Sequence, residues 1–263
     1  MRRSKWACVM HKRYHNGRGI ARNAHGGAFF GIRSEFSVSY FAMDDKVFKP
    51  ACVIFDIDGT LTETNELIFA SFNHVAEKHL GRRFSPPEII ALFGPPEEGA
   101  VLKMFGPDNL DAIMGELLEY YADHHASMAS MHEGIDGILR YLKSRGVKLA
   151  VFTGKGRRTA MITLEALQLA QLFDLIVSGN DVVHHKPHPE GIFRVLDTFG
   201  LKPDQALMVG DSLSDVHASH AAGVPIASVL WDSYDPVRVR SAGPEYVFET
   251  ARDMLVWFKA NLN

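Results

Sequence analysis

The stretch Val53-Ile54-Phe55-Asp56-Ile57-Asp58-Gly59-Thr60-Leu61 decides the reading of this chain. It opens with a short apolar run, Ala51 to Phe55, of the kind that fits a strand buried on both faces of a parallel sheet. Two carboxylates two residues apart follow at once. Residues i and i+2 of an extended chain point the same way, so Asp56 and Asp58 are placed to face one site just past the strand end. Gly59 lets the chain turn sharply there. Two acids at the end of a buried strand are costly unless something neutralises them. A divalent cation, or a phosphate held through one, would do so. An ordinary turn ending in Asp-x-Asp-Gly is the bland alternative.

Working outward, strands and helices alternate. Ile135, Ile138, Leu139 and Leu142 form a helical stripe, with Gly146 as its stop. Val147 to Phe152 reads as a strand, and Arg157 to Leu169 as a helix. A strand at Leu175 to Val177 follows, then a helix with the stripe Ile192, Val195, Leu196 and Phe199. Strands at Ala206 to Val209, Pro225 to Leu230 and Tyr246 to Phe248 come next. Helices at Leu213 to Ala222 and Thr250 to Ala260 complete the series. Such alternation predicts an α/β fold with a Rossmann-like parallel sheet. Residues 65–132 interrupt it with helices and no strand, so they read as an inserted helical cap. The core is then 43–64 plus 133–263.

The remaining residues, 1–42, form a basic extension. Eight Lys/Arg against Glu35 give it +7, so the net charge of −3 leaves −10 for the rest of the 263 residues. Rich in Gly and without sustained periodicity, it is expected to be disordered or loosely attached. Three readings compete: translation from an upstream start with Met43 as the true start, a targeting segment, or an arm for an acidic partner or nucleic acid. With 46% hydrophobic and 22% charged residues and no long apolar run, neither a membrane span nor, given the acidic body, nucleic-acid binding is expected. Cys8 and Cys52 have no metal-ligand spacing, and the simple expectation is a reduced, cytoplasmic protein. Oligomeric state is not legible.

Open parallel sheets bind ligands beyond the C-terminal ends of their strands. The polar residues fall there: Asp56 and Asp58, then Thr153-Gly154-Lys155-Gly156, then His184-His185-Lys186-Pro187-His188, then Gly210-Asp211-Ser212-Leu213-Ser214-Asp215. Each has a bland reading. Thr153 suits a helix N-cap, Lys186 a solvated loop, and Asp211 and Asp215 a helix start. Together they suit a hard cation held by carboxylates, phosphate oxygens held by a hydroxyl and amides, and a neutralising lysine. His184, His185 and His188 read as an exposed polar loop rather than a metal cluster, and His124-His125 as solvated.

These four segments, in this order, resemble the motifs of the haloacid dehalogenase superfamily over about residues 51–260. The helical insertion resembles its small helical cap, and the whole looks most like phosphoglycolate phosphatase-type enzymes. The resemblance implies a Mg²⁺-dependent phosphatase. Asp56 would be the nucleophile forming an aspartyl-phosphate, and Asp58 the acid and then base. Thr153, Gly154 and Lys186 would bind the phosphoryl group. Mg²⁺ would sit on Asp56, the Asp58 carbonyl and Asp211, supported by Gly59 and Asp215. In the cap, Pro95 and Glu97 fall in the loop expected at the leaving group, and Arg82, Arg83 and Lys103 are the cations available to an acidic one. The substrate implied is a small phosphorylated metabolite, phosphoglycolate first, with inorganic pyrophosphate, a sugar phosphate or a nucleotide monophosphate also open. A phosphomutase of the beta-phosphoglucomutase type and a non-catalytic phospho-ligand binding protein are the alternatives.

Overall fold

In the computed structural model the described residues are 7–11, 37–41 and 48–262. Residues 1–48 and 49–263 form separate compact units. In the first, strands β1 (Ala7–His11) and β2 (Ser37–Phe41) pair antiparallel. The extension expected to lack regular structure therefore contains a strand pair. The rest of it lies outside the described residues.

The second unit is built on β3 (Cys52–Phe55), whose four residues are all buried. That burial explains its unbroken apolar run. After β4 (Thr62–Glu63) come α1 (Asn65–Leu80), α2 (Pro86–Ile90), α3 (Glu97–Phe105) and α4 (Leu110–Met128), closed by β5 (Ser130–Met131). Alternation then runs α5 (Ile135–Ser144), β6 (Lys148–Phe152), α6 (Arg157–Ala166), β7 (Leu175–Val177), α7 (Glu190–Phe199), β8 (Ala206–Gly210), α8 (Leu213–Ala222) and β9 (Ile226–Val229). The chain finishes with α9 (Pro236–Ser241), β10 (Tyr246–Phe248) and α10 (Ala251–Leu262).

Six strands form one parallel sheet in the order β10-β9-β8-β3-β6-β7. The chain first moves from β3 to β6 and β7, then restarts on the other side at β8. The reversal opens a crevice beside β3, where such sheets bind ligands. Cys52, Ile54, Ala150, Phe152, Met208 and Ile226 from the sheet share a core with Ile192, Val195 and Val216 of α7 and α8. Gly191 is required in that layer, because a Cβ there would stand 2.1 Å from the Phe152 ring.

Helices α1–α4 bury a cluster of their own, which includes Leu67, Phe72, Val75, Val101, Leu117 and Tyr121. Local signals set their limits. Gly81 ends α1 at φ 64°, and Ser85 with Glu88 makes a capping box at α2. Three details depart from expectation. β5 lies inside the stretch read as purely helical and pairs antiparallel with β4; two residues are too few to show a period. Helix α6 stops at Ala166, because Gln168 takes a left-handed φ of 56°. Helix α9, capped by the Asp235 side chain, was not foreseen. No helix among the described residues is long and apolar enough to cross a membrane.

Candidate active site

Because every strand of the large sheet runs the same way, the C-terminal ends of β3, β6 and β8 meet at one edge. Asp56 leaves β3 with its Oδ1 accepting the Ile57 amide at 2.8 Å. Lys186 Nζ lies 3.1 Å from Asp56 Oδ1 and donates to Asp215 Oδ1 at 2.6 Å. Asp215 is fully buried, and its other oxygen accepts the Ser212 amide at 3.1 Å and hydroxyl at 2.6 Å. Thr60 Oγ1 donates to Asp211 Oδ1 at 2.7 Å. The backbone must come close at two points. A Cβ on Gly59, at φ 75°, would sit 2.7 Å from Asp211 Oδ2, and one on Gly210 would sit 2.4 Å from the Asp215 carboxyl carbon. The Lys186–Pro187 peptide is cis.

Asp56, Asp211 and Asp215 each offer a carboxylate oxygen within 4.8 Å of the others. Three acids, Asp211 and Asp215 buried and Asp56 partly so, against one lysine leave negative charge in excess. Burial pushes the Asp56 carboxyl up to about 6, with Asp215 and Asp58 adding to the rise and Lys186 opposing it. Burial, then Asp215 and Asp56, raise Asp211 well above the usual carboxylate range. Burial alone would lower Lys186, but Asp215 and Asp56 outweigh it and hold it above its ordinary value. The donor set is all hard oxygen, buried and short of positive charge, and so it fits a divalent cation such as Mg²⁺.

Asp58 belongs to a different group. Its carboxylate accepts from Thr64 Oγ1 at 2.5 Å and pairs with Lys155 Nζ at 3.1 Å. The Lys155 side chain is 1% exposed, and its ammonium stands 4.7 Å from the centre of the Tyr121 ring in α4. Sequence reading passed over Lys155. The i, i+2 expectation that Asp56 and Asp58 share one set of partners is not met, and it does not reach Lys155, which lies past the end of β6. Thr153 is buried and is no helix N-cap: α6 is capped by Gly156, and Thr153 Oγ1 accepts the Lys155 amide at 3.2 Å. Gly154 lies alongside, its carbonyl 2.6 Å from where a Cβ on Gly179 would stand.

The expected cap residues divide. Glu97 of α3 reaches across to α6, accepting the Gly156 amide at 2.7 Å and the Thr159 hydroxyl at 2.5 Å. Pro95 packs on Gly99, and Pro96 packs close to Gly179. The cations are not gathered at the strand ends. Arg82 pairs with Glu88 at 3.1 Å and stacks on Phe84, Arg83 pairs with Glu77 at 2.8 Å, and Lys103 lies on an exposed face of α3. His125 is buried rather than solvated, 3.2 Å from Thr163 Oγ1, which also meets the Tyr121 hydroxyl at 2.7 Å. His184 and His188 are exposed.

The family model of haloacid dehalogenase-like hydrolases matches residues 53–229. Pyrophosphatase PpaX of Halalkalibacterium halodurans is 34% identical over 203 residues, covering 77% of this chain and 94% of that protein. Pyrophosphatase PpaX of Bacillus cereus strain G9842 is 31% identical over the same shares of the two chains. Among solved structures, a predicted phosphoglycolate phosphatase from Haemophilus somnus 129pt superposes with a TM-score of 0.71 at 24% identity, covering 79% of this chain and 97% of that one. CbbY from Rhodobacter sphaeroides, in complex with phosphate, gives 0.70 at 21% identity, covering 80% and 99%. Fold, strand-end carboxylates and matched segment agree: the chain belongs to the haloacid dehalogenase-like hydrolases and is a phosphatase of that family.

Proposed function

We propose that the chain hydrolyses a small phosphorylated metabolite with the help of Mg²⁺, using Asp56 as nucleophile. The observation that carries this reading is the Asp56–Lys186–Asp215–Asp211 group. It sets one carboxylate at a sheet edge against a buried ammonium and leaves the site short of positive charge. Asp56 and Asp211 would hold the cation, with the Asp58 carbonyl and Asp215 in support. Bound there, it would neutralise the acids and draw charge from the phosphoryl oxygens.

The steps belong to the side chains. Asp56 Oδ attacks phosphorus, the bond to the leaving oxygen breaks, and Asp58 gives that oxygen a proton. Asp58 then takes a proton from water as water attacks the aspartyl-phosphate, releasing phosphate and freeing Asp56. Lys186 and the Thr153–Gly154 segment balance and orient the phosphoryl oxygens. Thr64 and Lys155 hold Asp58 ready, and Glu97 ties the helical cap to the core so that water is excluded.

Inorganic pyrophosphate becomes the first substrate to test, ahead of phosphoglycolate. The relatives at 31–34% identity are named pyrophosphatases. The test is phosphate release from both compounds and a panel of sugar and nucleotide phosphates, with Mg²⁺, with EDTA, and with Asp56→Asn. Metal-dependent release lost in the variant is expected. Release that survives Asp56→Asn would sink the assignment.

A further inference from the structure

A second cavity, of about 780 Å³, lies between β4 and β5 on one side and the loops after β9 and β10 on the other. None of Asp56, Asp58, Lys186, Asp211 or Asp215 lines it. The carboxylates of Glu63, Glu66, Glu133, Asp232 and Glu249 do, and no Lys or Arg is among the described lining residues. Glu249 is already paired with Arg240, and Asp232 Oδ2 accepts from Asn65 Nδ2 at 3.0 Å. The remaining acids still outnumber the cations at the cavity, repel one another and favour a positive ligand that enters.

A buried histidine turns that general preference into a specific demand. His132 is only 8% exposed and lines the cavity. Its Nδ1 is 3.2 Å from Glu63 Oε1, and its Nε2 is 3.6 Å from Asp232 Oδ2 with no hydrogen-bond partner. Burial lowers its pKa more than Asp232 and Glu63 raise it, which favours the neutral ring. A neutral imidazole has one N–H. With a carboxylate at each nitrogen, one lone pair always faces another acceptor. A donor between Nε2 and Asp232 would satisfy both, and one carrying positive charge would also offset the surrounding acids. Burial also raises Asp232 above its ordinary value.

The walls select the kind of cation. Trp231, Tyr234 and Phe69 line the same cavity, and aromatic faces attract ammonium groups and cover methylene chains. The volume is far larger than a single small cation needs. We propose that this cavity binds a polyamine-type organic cation, with ammonium groups on Asp232, Glu63 and His132 Nε2 and the carbon chain against Trp231 and Tyr234. Because β4 and β5 are the two strands that lead into and out of α1–α4, such a ligand would bridge the base of the helical cap.

The probe is spermidine, titrated calorimetrically into the full chain at low salt and in excess MgCl₂. Saturable one-site binding is expected. Asp232→Asn with Glu63→Gln removes two carboxylate contacts and so weakens binding by about tenfold or more. The exposed pair Glu119→Gln with Asp123→Asn in α4 changes net charge equally and should leave affinity unchanged. If the first pair does not fold, Glu66→Gln with Glu133→Gln at the exposed rim should still weaken binding several-fold. Absence of saturable binding overturns the proposal. So does equal weakening by the α4 control, which would mark diffuse charge attraction, and so does abolition by MgCl₂, which would mark a metal site. None of these readouts depends on phosphatase activity.

Discussion

Asp56→Asn should make the metal-free protein more stable while abolishing its activity. Burial and the neighbouring acids lift the Asp56 carboxyl from 3.8 to about 6. Between those values the folded protein keeps a proton that the unfolded chain has released. Stability therefore falls as pH rises through the window and stays lower above it. A rise of this size corresponds to about 3 kcal/mol, at about 1.36 kcal/mol per pH unit. Asparagine carries no charge, so it escapes that loss. Lys186 is not orphaned, because it keeps Asp215 at 2.6 Å. In EDTA near pH 7.5 the variant should melt roughly 6–12 °C above the parent, using about 2–4 °C per kcal/mol for a domain of this size. At about pH 4 the two should melt together. Adding Mg²⁺ should raise the parent's melting temperature and leave the variant's nearly still. The assay is a thermal melt followed by circular dichroism across pH, with and without metal. A variant that melts lower than the parent in EDTA near pH 7.5 would refute the reasoning, as would a gap of equal size at both pH values.

Gly59→Ala places a Cβ 2.7 Å from Asp211 Oδ2 at a left-handed φ; displacing that carboxylate by an ångström should lower kcat on the order of a hundredfold, read by phosphate release. Lys155→Met fills similar space but leaves Asp58 with only Thr64, so kcat should fall about a hundredfold while the circular dichroism spectrum is retained. Glu97→Gln keeps the shape and removes the charge on the Gly156 amide and Thr159 hydroxyl, which should raise KM about three- to tenfold with little change in kcat. An unchanged KM would remove Glu97 from cap closure.

Fully buried strands carry their own signature, and β3, β6 and β8 were readable as apolar runs because both faces of the sheet are covered. Their polar ends were readable as one place for a simple reason. A parallel sheet delivers every strand end to the same edge, so sequence order becomes spatial proximity. What lies between side chains was not readable. Lys155 looked like a loop residue, yet its ammonium is buried against Asp58 and Tyr121, a contact made by segments 97 residues apart in the chain. Glu97 stood out in a cap loop, but only the folded chain shows that it reaches Gly156 and Thr159. Arg82 looked available and is engaged locally by Glu88. His125 looked solvated because its helix is amphipathic, and its burial follows from α6 covering that face. Such pairings depend on the packing of helices on the sheet, which no local period encodes.

Cys52 gives the molecule a built-in clock. It is buried in β3, between β6 and β8, and burial together with Asp174 pushes its thiol up to about 12. A protonated thiol in the middle strand is closed to alkylating reagents twice over, by chemistry and by access. Modification must wait for the sheet itself to part. With Cys8 replaced by Ser, a single labelling curve would then time the opening of the whole sheet, and loosening confined to the helices outside it would leave no mark.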